Sequence, residues 1–318
     1  MKRRTVLHAS LAGLGAGVPG WGLAQSGAGR TVELIVPYAA GGGVDAMARA
    51  FAREAARLTG GSWVVVNKDG AAGVLGFAAL TNAAPDGQTL VFSPASPLVI
   101  SPHVSKSLPF KPERVEPVCQ VFENVFTIAV KADSPITSMQ DLVARAKAAP
   151  GKLSYGHAGT GSVPHLGVAS VEKALGIHFN AIPYRGDAGM LPQLLGGELD
   201  FGAPAVSSIG GKPLRVLAVL AEQRHPGAPD APTLTQLGYP PVVPGLNGLY
   251  APAGLPAPVL ESLQGLCQKV AESAEFRKAA QGLQQSVAYL PGAAFKKRLD
   301  GVSRENAALI PSMNLDKN

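Results

Sequence analysis

The sequence lacks clustered positive charge and, beyond its N-terminal segment, it lacks any long apolar run. Its 28 Lys and Arg residues stand against 22 Asp and Glu residues, which gives a formal charge of +6. No basic run or basic helix collects these charges, and this excludes the footprint of a nucleic-acid-binding protein. No later apolar run is long enough to cross a bilayer. The mild positive charge suits an anionic small molecule as the partner.

Cysteine is also scarce. Cys119 and Cys267 lie far apart in the sequence, and each lies within an apolar run. Because free cysteine buries readily, we expect two buried, unpaired thiols. A disulfide is the alternative if the chain is exported to an oxidising compartment.

The first 24 residues indicate export. Lys2-Arg3-Arg4 is a basic start, residues 6–18 are apolar or small, and Gly22-Leu23-Ala24 ends in small residues. This pattern predicts a signal peptide over residues 1–24, too short to span a membrane. The Arg3-Arg4 pair also fits a twin-arginine signal, so Sec and Tat export both stay open. Cleavage after Ala24 would lower the formal charge from +6 to +3, and no cysteine lies near that point to carry a lipid anchor.

Short strands and helices alternate along the rest of the chain. The 38 Gly and 27 Pro residues favour many short elements joined by turns. Strand–helix alternation at βαβ spacing predicts an α/β fold with a largely parallel sheet. Predicted strands cover residues 32–36, 63–66, 89–92, 126–130, 179–184, 199–202 and 214–220. Predicted helices cover residues 44–58, 74–82, 139–148, 190–195, 258–281 and 294–309, with one more ending at 175.

Two segments, residues 126–142 and 249–263, repeat one pattern of apolar strand, small-residue turn, proline and helix. Two such passages suit a pair of crossovers between two α/β lobes. We therefore predict that residues 29–125 and 220–318 form lobe 1 and that residues 126–219 form lobe 2. In sheets of this type, ligands bind beyond the carboxyl ends of the parallel strands.

The loop at residues 38–45 joins a buried strand to a helix and contains Gly41-Gly42-Gly43. Unpaired backbone N–H groups at the positive end of a helix dipole form a site for an anion. Residues 41–46 also satisfy the G-x-G-x-x-A fingerprint of dinucleotide-binding folds. That fingerprint starts directly after its strand, whereas residues 37–40 intervene here, and the second strand ends at Asn67 instead of an acid. A nucleotide-dependent enzyme using Gly41 to Gly43 is kept as an alternative.

Catalytic motifs are incomplete. The run Gly161-Ser162-Val163-Pro164-His165 lacks the glycine spacing of a nucleophile elbow, and Ser162 fits a helix cap better. His157, His165 and His178 match no zinc-binding spacing. Because no set of nucleophile, base and orienting residue emerges, we predict binding without catalysis, with no cofactor and no metal.

Three charged residues allow two interpretations each. Asp45 and Arg49 form an i,i+4 pair on the first predicted helix, which is a surface pair in the simplest interpretation. Alternatively, Asp45 hydrogen-bonds the amides of the glycine loop and fixes its shape. Arg185 follows a predicted strand and is either a surface cation or a ligand contact in lobe 2.

The run IVPYAAGGGVDAMAR at residues 35–49 closely resembles the signature of the Bug, or TctC-like, extracytoplasmic solute receptors. These receptors are the binding components of tripartite tricarboxylate transporters. Further segments resemble the family in the same order, including APDGQTL at residues 84–90, PGKL at 150–153, PYRG at 183–186 and APAGLP at 251–256. Each segment is short, but together they cover nearly the whole mature chain.

The resemblance implies a two-lobed periplasmic-binding-protein fold of the type II, Venus-flytrap kind, with a mixed, mostly parallel sheet in each lobe. It also implies a periplasmic monomer that closes on a small organic carboxylate and delivers it to membrane permease subunits. A sensor that feeds a signalling partner would use the same lobes. Carried over by position, the ligand contacts are Tyr38, Ala40, Gly41, Gly42, Ser93 and Ser96 of lobe 1, and Gly159, Thr160, Gly161, Ser162, His165, Tyr184 and Arg185 of lobe 2.

Three departures from the family pattern bear on the ligand. Asn67-Lys68-Asp69 lacks the usual Glu and Pro, and Val163-Pro164 replaces residues that are commonly polar. Residues 204–207 are Pro-Ala-Val-Ser where many members carry Asp or Asn, the position that would select an amino group. We therefore expect a plain or aromatic carboxylate and not an amino acid.

Overall fold

The computed structural model describes residues 31–221, 223–239, 242 and 244–312. The predicted signal peptide therefore lies outside the described residues. Within them, no helix is both long enough and apolar enough to cross a membrane.

Strands and helices alternate through most of the described chain. The strands are β1 Thr31–Val36, β2 Ser62–Asn67, β3 Thr89–Pro94, β4 Val115–Asn124, β5 Thr127–Lys131, β6 Ser154–His157, β7 Asn180–Pro183, β8 Phe201–Gly202, β9 Leu214–Val219, β10 Gly245–Pro252 and β11 Ser286–Pro291. The helices are α1 Gly43–Thr59, α2 Val74–Thr81, α3 Ser96–Val99, α4 Ser101–Val104, α5 Met139–Ala148, α6 Val163–Leu175, α7 Asp187–Gly196, α8 Val206–Ile209, α9 Ala257–Glu272, α10 Ala274–Gly282 and α11 Gly292–Leu309.

The strands form two sheets. A six-stranded sheet has the order β11-β4-β10-β3-β1-β2, and a five-stranded sheet has the order β7-β6-β8-β5-β9. We call the first sheet with its helices the first lobe, and the second sheet with its helices the second lobe. The α/β class and the mixed sheets agree with the prediction.

The prediction of mostly parallel sheets holds only in part. β1 pairs in parallel with β2 and β3, and β6 pairs in parallel with β7 and β8. The other pairings, of β10 with β3 and β4, β11 with β4, and β5 with β8 and β9, are antiparallel. Two of these strands follow the crossings between the sheets. β5 is the first strand after the chain leaves the first sheet, and β10 is the first strand after it returns. They enter without a βαβ crossover, which is the connection that would enforce parallel pairing.

Aromatic side chains fill the centre of each lobe. In the first lobe Phe92 packs against Phe51 and Phe122, with ring centroids 5.4 and 5.8 Å apart. In the second lobe Tyr155 stacks on Phe201 with centroids 5.0 Å apart. These rings are fully buried, so each sheet is anchored to its helices by an apolar core of its own.

The cysteine prediction was correct about burial and wrong about pairing. Cys119 in β4 and Cys267 in α9 are both fully buried, and they form a disulfide. Helix α9 packs on the face of the first sheet that carries Cys119. The packing brings together two residues 148 positions apart, and sequence spacing cannot show that.

One predicted helix is broken. The apolar pattern over residues 258–281 predicted one helix, but α9 ends at Glu272 and α10 begins at Ala274. Ser273 has an extended backbone conformation, and its side chain accepts a hydrogen bond from the Phe276 N–H. A serine that caps the next helix interrupts the backbone hydrogen bonds of the first helix, even though apolar residues continue at helical spacing on both sides of it.

Candidate functional site

A cleft lies between the two lobes, where the loops after several strands face one another. The first lobe contributes Tyr38, Gly42, Gly43, Asp45, Ser96 and Asn124. The second lobe contributes Ala158, Ser162, Pro164, Gly186, Asp187 and Ala205. The empty space, with the open mouth included, is about 520 Å³, which is within the range of small-molecule sites.

Three of the longer helices begin at this cleft. The N-caps Gly42 of α1, Ser162 of α6 and Gly186 of α7 all line it, and no side chain of the described residues caps any of these three helix ends. An uncapped N-terminus presents backbone N–H groups and the positive end of a helix dipole. The cleft is therefore favourable for an anion, although no Lys or Arg of the described chain lines it.

The glycine loop of the first lobe is held by Asp45. The Gly41 N–H donates to Asp45 Oδ2 at 2.9 Å, and the Arg49 Nε–H donates to the same oxygen at 3.0 Å. Asn67 Nδ2 donates to Asp45 Oδ1 at 3.0 Å and to Tyr38 O at 2.9 Å. Burial acts to raise the pKa of the Asp45 carboxyl, but the hydrogen bonds from Arg49, Gly41 and Asn67 lower it overall. The Gly41 amide is thus engaged within the loop, and the role of Gly41 as a ligand contact stays a prediction.

A pair of histidines holds the matching loop of the second lobe. The rings of His157 and His165 stack with centroids 4.3 Å apart. His157 Nδ1 hydrogen-bonds Gly159 O at 2.9 Å, and the Gly161 N–H donates to His165 Nδ1 at 3.1 Å. Burial lowers the pKa of His165 to about 4, and burial together with His165 lowers the pKa of His157 to about 3. Both rings are neutral at neutral pH and shape the loop, so His165 and the Gly161 amide are engaged with each other instead of facing the cleft.

The two lobes touch across the cleft. The Ala39 N–H donates to Arg185 O at 3.2 Å. Gly159 has a φ of +116°, and a Cβ placed there would lie 3.0 Å from the Cβ of Ala72 in the opposite lobe. The glycine lets the two backbones approach, so the structure is a closed arrangement of the lobes.

Two buried polar atoms at the cleft have no hydrogen-bond partner in the described part of the chain. They are Ser162 Oγ and Asp187 Oδ1. Ser162 is 2% exposed and Asp187 is 8% exposed. Burying a polar atom without a partner costs about 1–3 kcal/mol, so both atoms are candidates for contact with a ligand.

The remaining predicted ligand contacts fall into three groups. Tyr38, Gly42, Ser96 and Ser162 line the cleft. Gly159, Thr160, Tyr184 and Arg185 line a neighbouring cavity that shares Tyr38 with the cleft. Ser93 is fully buried with its hydroxyl donated to Pro94 O at 2.8 Å, and Ala40 is exposed.

Tyr38 lies between the cleft and this neighbouring cavity. Its hydroxyl donates to Ala72 O at 2.9 Å, and burial raises its pKa. Arg185 lies beyond it, with a side chain that is 76% exposed and 3.4 Å from Asp69 Oδ2. The Arg185 side chain is therefore an exposed cation paired with the opposite lobe in this structure.

Sequence reasoning missed two polar residues of the cleft, Asn124 and Asp187. Asn124 Oδ1 accepts from Gln285 Nε2 at 2.6 Å, and the same nitrogen contacts Ser207 Oγ of the second lobe at 2.6 Å. Asp187 directly follows the Pro-Tyr-Arg-Gly run that resembles the family pattern. Its position in the first turn of a helix could have pointed to a role at the site. Many acidic residues occupy such positions only because the helix dipole favours negative charge there.

Two α/β lobes that meet at a cleft lined by helix N-termini define a two-lobed solute-binding protein. The model of the tripartite tricarboxylate transporter family receptor (TctC) matches residues 47–315. The chain belongs to this receptor family, which confirms the resemblance seen in the sequence.

Individual proteins agree with this family assignment. The chain is 31% identical over 319 residues to a Cupriavidus necator protein described as "UPF0065 protein in gbd 5'region", covering 99% of this chain and 97% of the relative. The structure of the periplasmic binding protein BugD is similar with a TM-score of 0.85 and 29% identity, covering 91% of this chain and 99% of BugD. The fold is also shared with MatC from Rhodopseudomonas palustris with bound malate, at a TM-score of 0.82 and 23% identity over 88% of this chain and 99% of MatC.

Proposed function

We propose that this protein binds a small organic carboxylate between its two lobes and delivers it, chemically unchanged, to the membrane permease subunits of a tripartite transporter. The observation that carries the proposal is the convergence of three uncapped helix N-termini, of α1, α6 and α7, on one cleft. Aligned backbone N–H groups at a helix start bind carboxylates without a cationic side chain.

The rest of the cleft suits a compact organic anion. Pro94, Phe126, Val163, Pro164 and Ala205 form an apolar wall around the polar ends of the helices. An apolar wall favours the carbon skeleton of a ligand, and a few directed polar groups set its orientation. The proposal therefore assigns the carboxylate to the helix ends and the skeleton to the wall.

Closure supplies the coupling to transport. Ligand that contacts both lobes favours the closed arrangement by its differential affinity for that state. Only the closed receptor would then present both lobe surfaces to the permease in a fixed orientation. We further propose that the mature receptor acts as a periplasmic monomer after removal of residues 1–24, and that lobe 2 spans residues 126–219.

Thermal unfolding and calorimetry against mono-, di- and tricarboxylates test the proposal. A ligand at a hundredfold excess over its Kd should stabilise the protein by about 2.7 kcal/mol. A Gly42→Val variant should raise the Kd for the carboxylate at least tenfold, because Gly42 lines the cleft at the start of α1. Gly42 has a φ of −80°, and a Cβ added there would lie 3.7 Å from its nearest neighbour, Ala39 O, so the fold should tolerate the change.

Gly301→Val is the matched control, because Gly301 lies in α11 with open space around its Cβ position. This variant should bind as the unaltered protein does. A receptor that ignores every carboxylate in the panel but responds to a nucleotide would refute the proposal.

A further inference from the structure

The buried carboxyl of Asp187 at the cleft carries a more specific inference, which rests on the proposed function. Asp187 opens helix α7, and its side chain is 8% exposed. Its Oδ2 accepts a 2.9 Å hydrogen bond from the Ala205 N–H. This bond fixes the carboxyl plane and leaves the second oxygen, Oδ1, without a partner among the described residues.

Asp187 supplies an acid at the place where the sequence shows none. Residues 204–207 are Pro-Ala-Val-Ser, and the absence of Asp or Asn there led to the expectation that no amino group is selected. The hydrogen bond to the Ala205 N–H brings the Asp187 carboxyl against this same segment. An acidic group therefore lies beside this segment, contributed by a different part of the chain.

The described residues do not fully offset the cost of burying the Asp187 carboxyl. Among the described residues, no Lys, Arg or His forms an ion pair with Asp187. The Ser208 hydroxyl lies close enough to lower the pKa of the carboxyl by hydrogen bonding, yet Asp187 Oδ1 has no hydrogen-bond donor among the described residues. The Ala205 N–H and the Lys212 charge also lower this pKa, but burial outweighs all three and raises it. A buried carboxyl oxygen without a hydrogen-bond donor is unfavourable, and a donor that reaches it from the cleft removes that penalty. A ligand can supply this donor, because Asp187 lines the cleft beside the uncapped start of its own helix.

We propose that the ligand carries a hydrogen-bond donor close to its carboxylate, a hydroxyl or an ammonium group, and that Asp187 Oδ1 accepts from it. The carboxylate would bind at the helix N-termini, where Ser162 Oγ offers a further polar contact. A plain carboxylate of the same length fills the same space but leaves Asp187 Oδ1 unsatisfied. Asp187 is thus a specificity residue that separates hydroxy- and amino-carboxylates from their unsubstituted analogues.

The test compares matched ligands. Each carboxylate that binds in the panel is measured beside its 2-hydroxy and 2-amino analogues by calorimetry, for example succinate, malate and aspartate, or propionate, lactate and alanine. We expect the hydroxy or the amino member to bind at least tenfold more tightly than the unsubstituted member. A gain confined to the hydroxy member identifies a hydroxyl donor, and a gain confined to the amino member identifies an ammonium donor.

The Asp187→Asn variant tests whether Asp187 is the residue that sets the ligand preference. Its amide oxygen can still accept from the Ala205 N–H, so the protein should fold, as thermal unfolding will show. The variant should lose at least tenfold of the preference for an ammonium ligand over its unsubstituted analogue. A ligand hydroxyl can still pair with the amide of this variant by accepting a hydrogen bond from its NH2 group. For a hydroxyl ligand, Asp187→Leu is therefore the variant that should remove the preference.

Asp200→Asn is the matched control, because Asp200 also accepts a backbone N–H, from Ser154 at 2.7 Å, but is exposed and outside the cleft. It should leave every affinity unchanged. Equal binding of substituted and unsubstituted carboxylates, or a preference that survives both Asp187 variants, would overturn the inference and leave the proposed function intact. Failure of every carboxylate to bind would overturn both.

Discussion

The Gly41 N–H donates to Asp45 Oδ2 over 2.9 Å, and this bond ties the glycine loop to the first turn of α1. Replacing Asp45 by Ala removes the acceptor of the Gly41 N–H and one hydrogen bond each of Asn67 Nδ2 and Arg49. We expect a loss of about 1–3 kcal/mol in the free energy of unfolding and a carboxylate affinity at least tenfold weaker, measured by urea denaturation and calorimetry.

Asp141→Ala is the control for that variant. Asp141 also pairs with an Arg four residues on and accepts a backbone N–H, from Thr137, but it lies on α5 away from the cleft. It should leave ligand affinity unchanged. If both variants weaken binding equally, the Asp45 contacts do not shape the site.

Gly43 should be required for lobe closure. A Cβ at Gly43 would lie 2.5 Å from Ser207 Oγ of the second lobe, and Gln285 holds that hydroxyl in place at 2.6 Å. Gly43→Ala should therefore raise the Kd for carboxylate at least tenfold by opposing closure, without lowering the unfolding temperature. Adding Ser207→Ala removes the clashing oxygen and should restore most of the affinity. A double variant as weak as the single one would show that closure is not what Gly43 controls.

Acid should destabilise the protein through His157 and His165. Their pKa values are lowered in the folded state, to about 3 and about 4, against about 6.5 in an unfolded chain. The unfolded state therefore binds more protons, so stability is full above pH 6.5 and falls as the pH drops towards 4.

The size of this loss should be on the order of 2 kcal/mol for each histidine at pH 4.5. Urea titrations between pH 7.5 and 4.5 measure it. His165→Asn should flatten the pH dependence, whereas the exposed His178→Asn should not. An unchanged slope in His165→Asn would contradict the assignment.

The disulfide between Cys119 and Cys267 should stabilise the first lobe. It closes a loop over a sequence separation of 148, for which chain entropy gives about 5 kcal/mol, and native disulfides typically contribute 2–5 kcal/mol. Reduction of the disulfide should lower the free energy of unfolding by about 2–5 kcal/mol. The double variant Cys119→Ala with Cys267→Ala should lower it by the same amount. Ligand affinity should hold, because neither residue lines the cleft. Identical denaturation curves with and without reductant would refute this prediction.

The sequence was sufficient for features that depend on local patterns. Strands β1, β2 and β3 and helices α1, α2 and α5 lie within a few residues of their predicted positions, because apolar periodicity and glycine or proline breaks act over neighbouring residues. The family resemblance rested on contiguous motifs and placed the chain among the same receptors as the family model does. Strands β4 and β11 escaped prediction because their apolar and polar residues do not alternate cleanly, and because they pair with each other from distant parts of the sequence.

Only the tertiary structure could decide what depends on residues far apart in the chain. The pairing of Cys119 with Cys267 follows from α9 packing on β4. The Asp187 carboxyl reaches the cleft because it is anchored on the Ala205 N–H, 18 residues away. The pattern of neighbouring residues in the sequence determined that a glycine loop precedes α1. The apposition of two lobes determined that two further helix ends, and a buried acid, face that loop across one cleft.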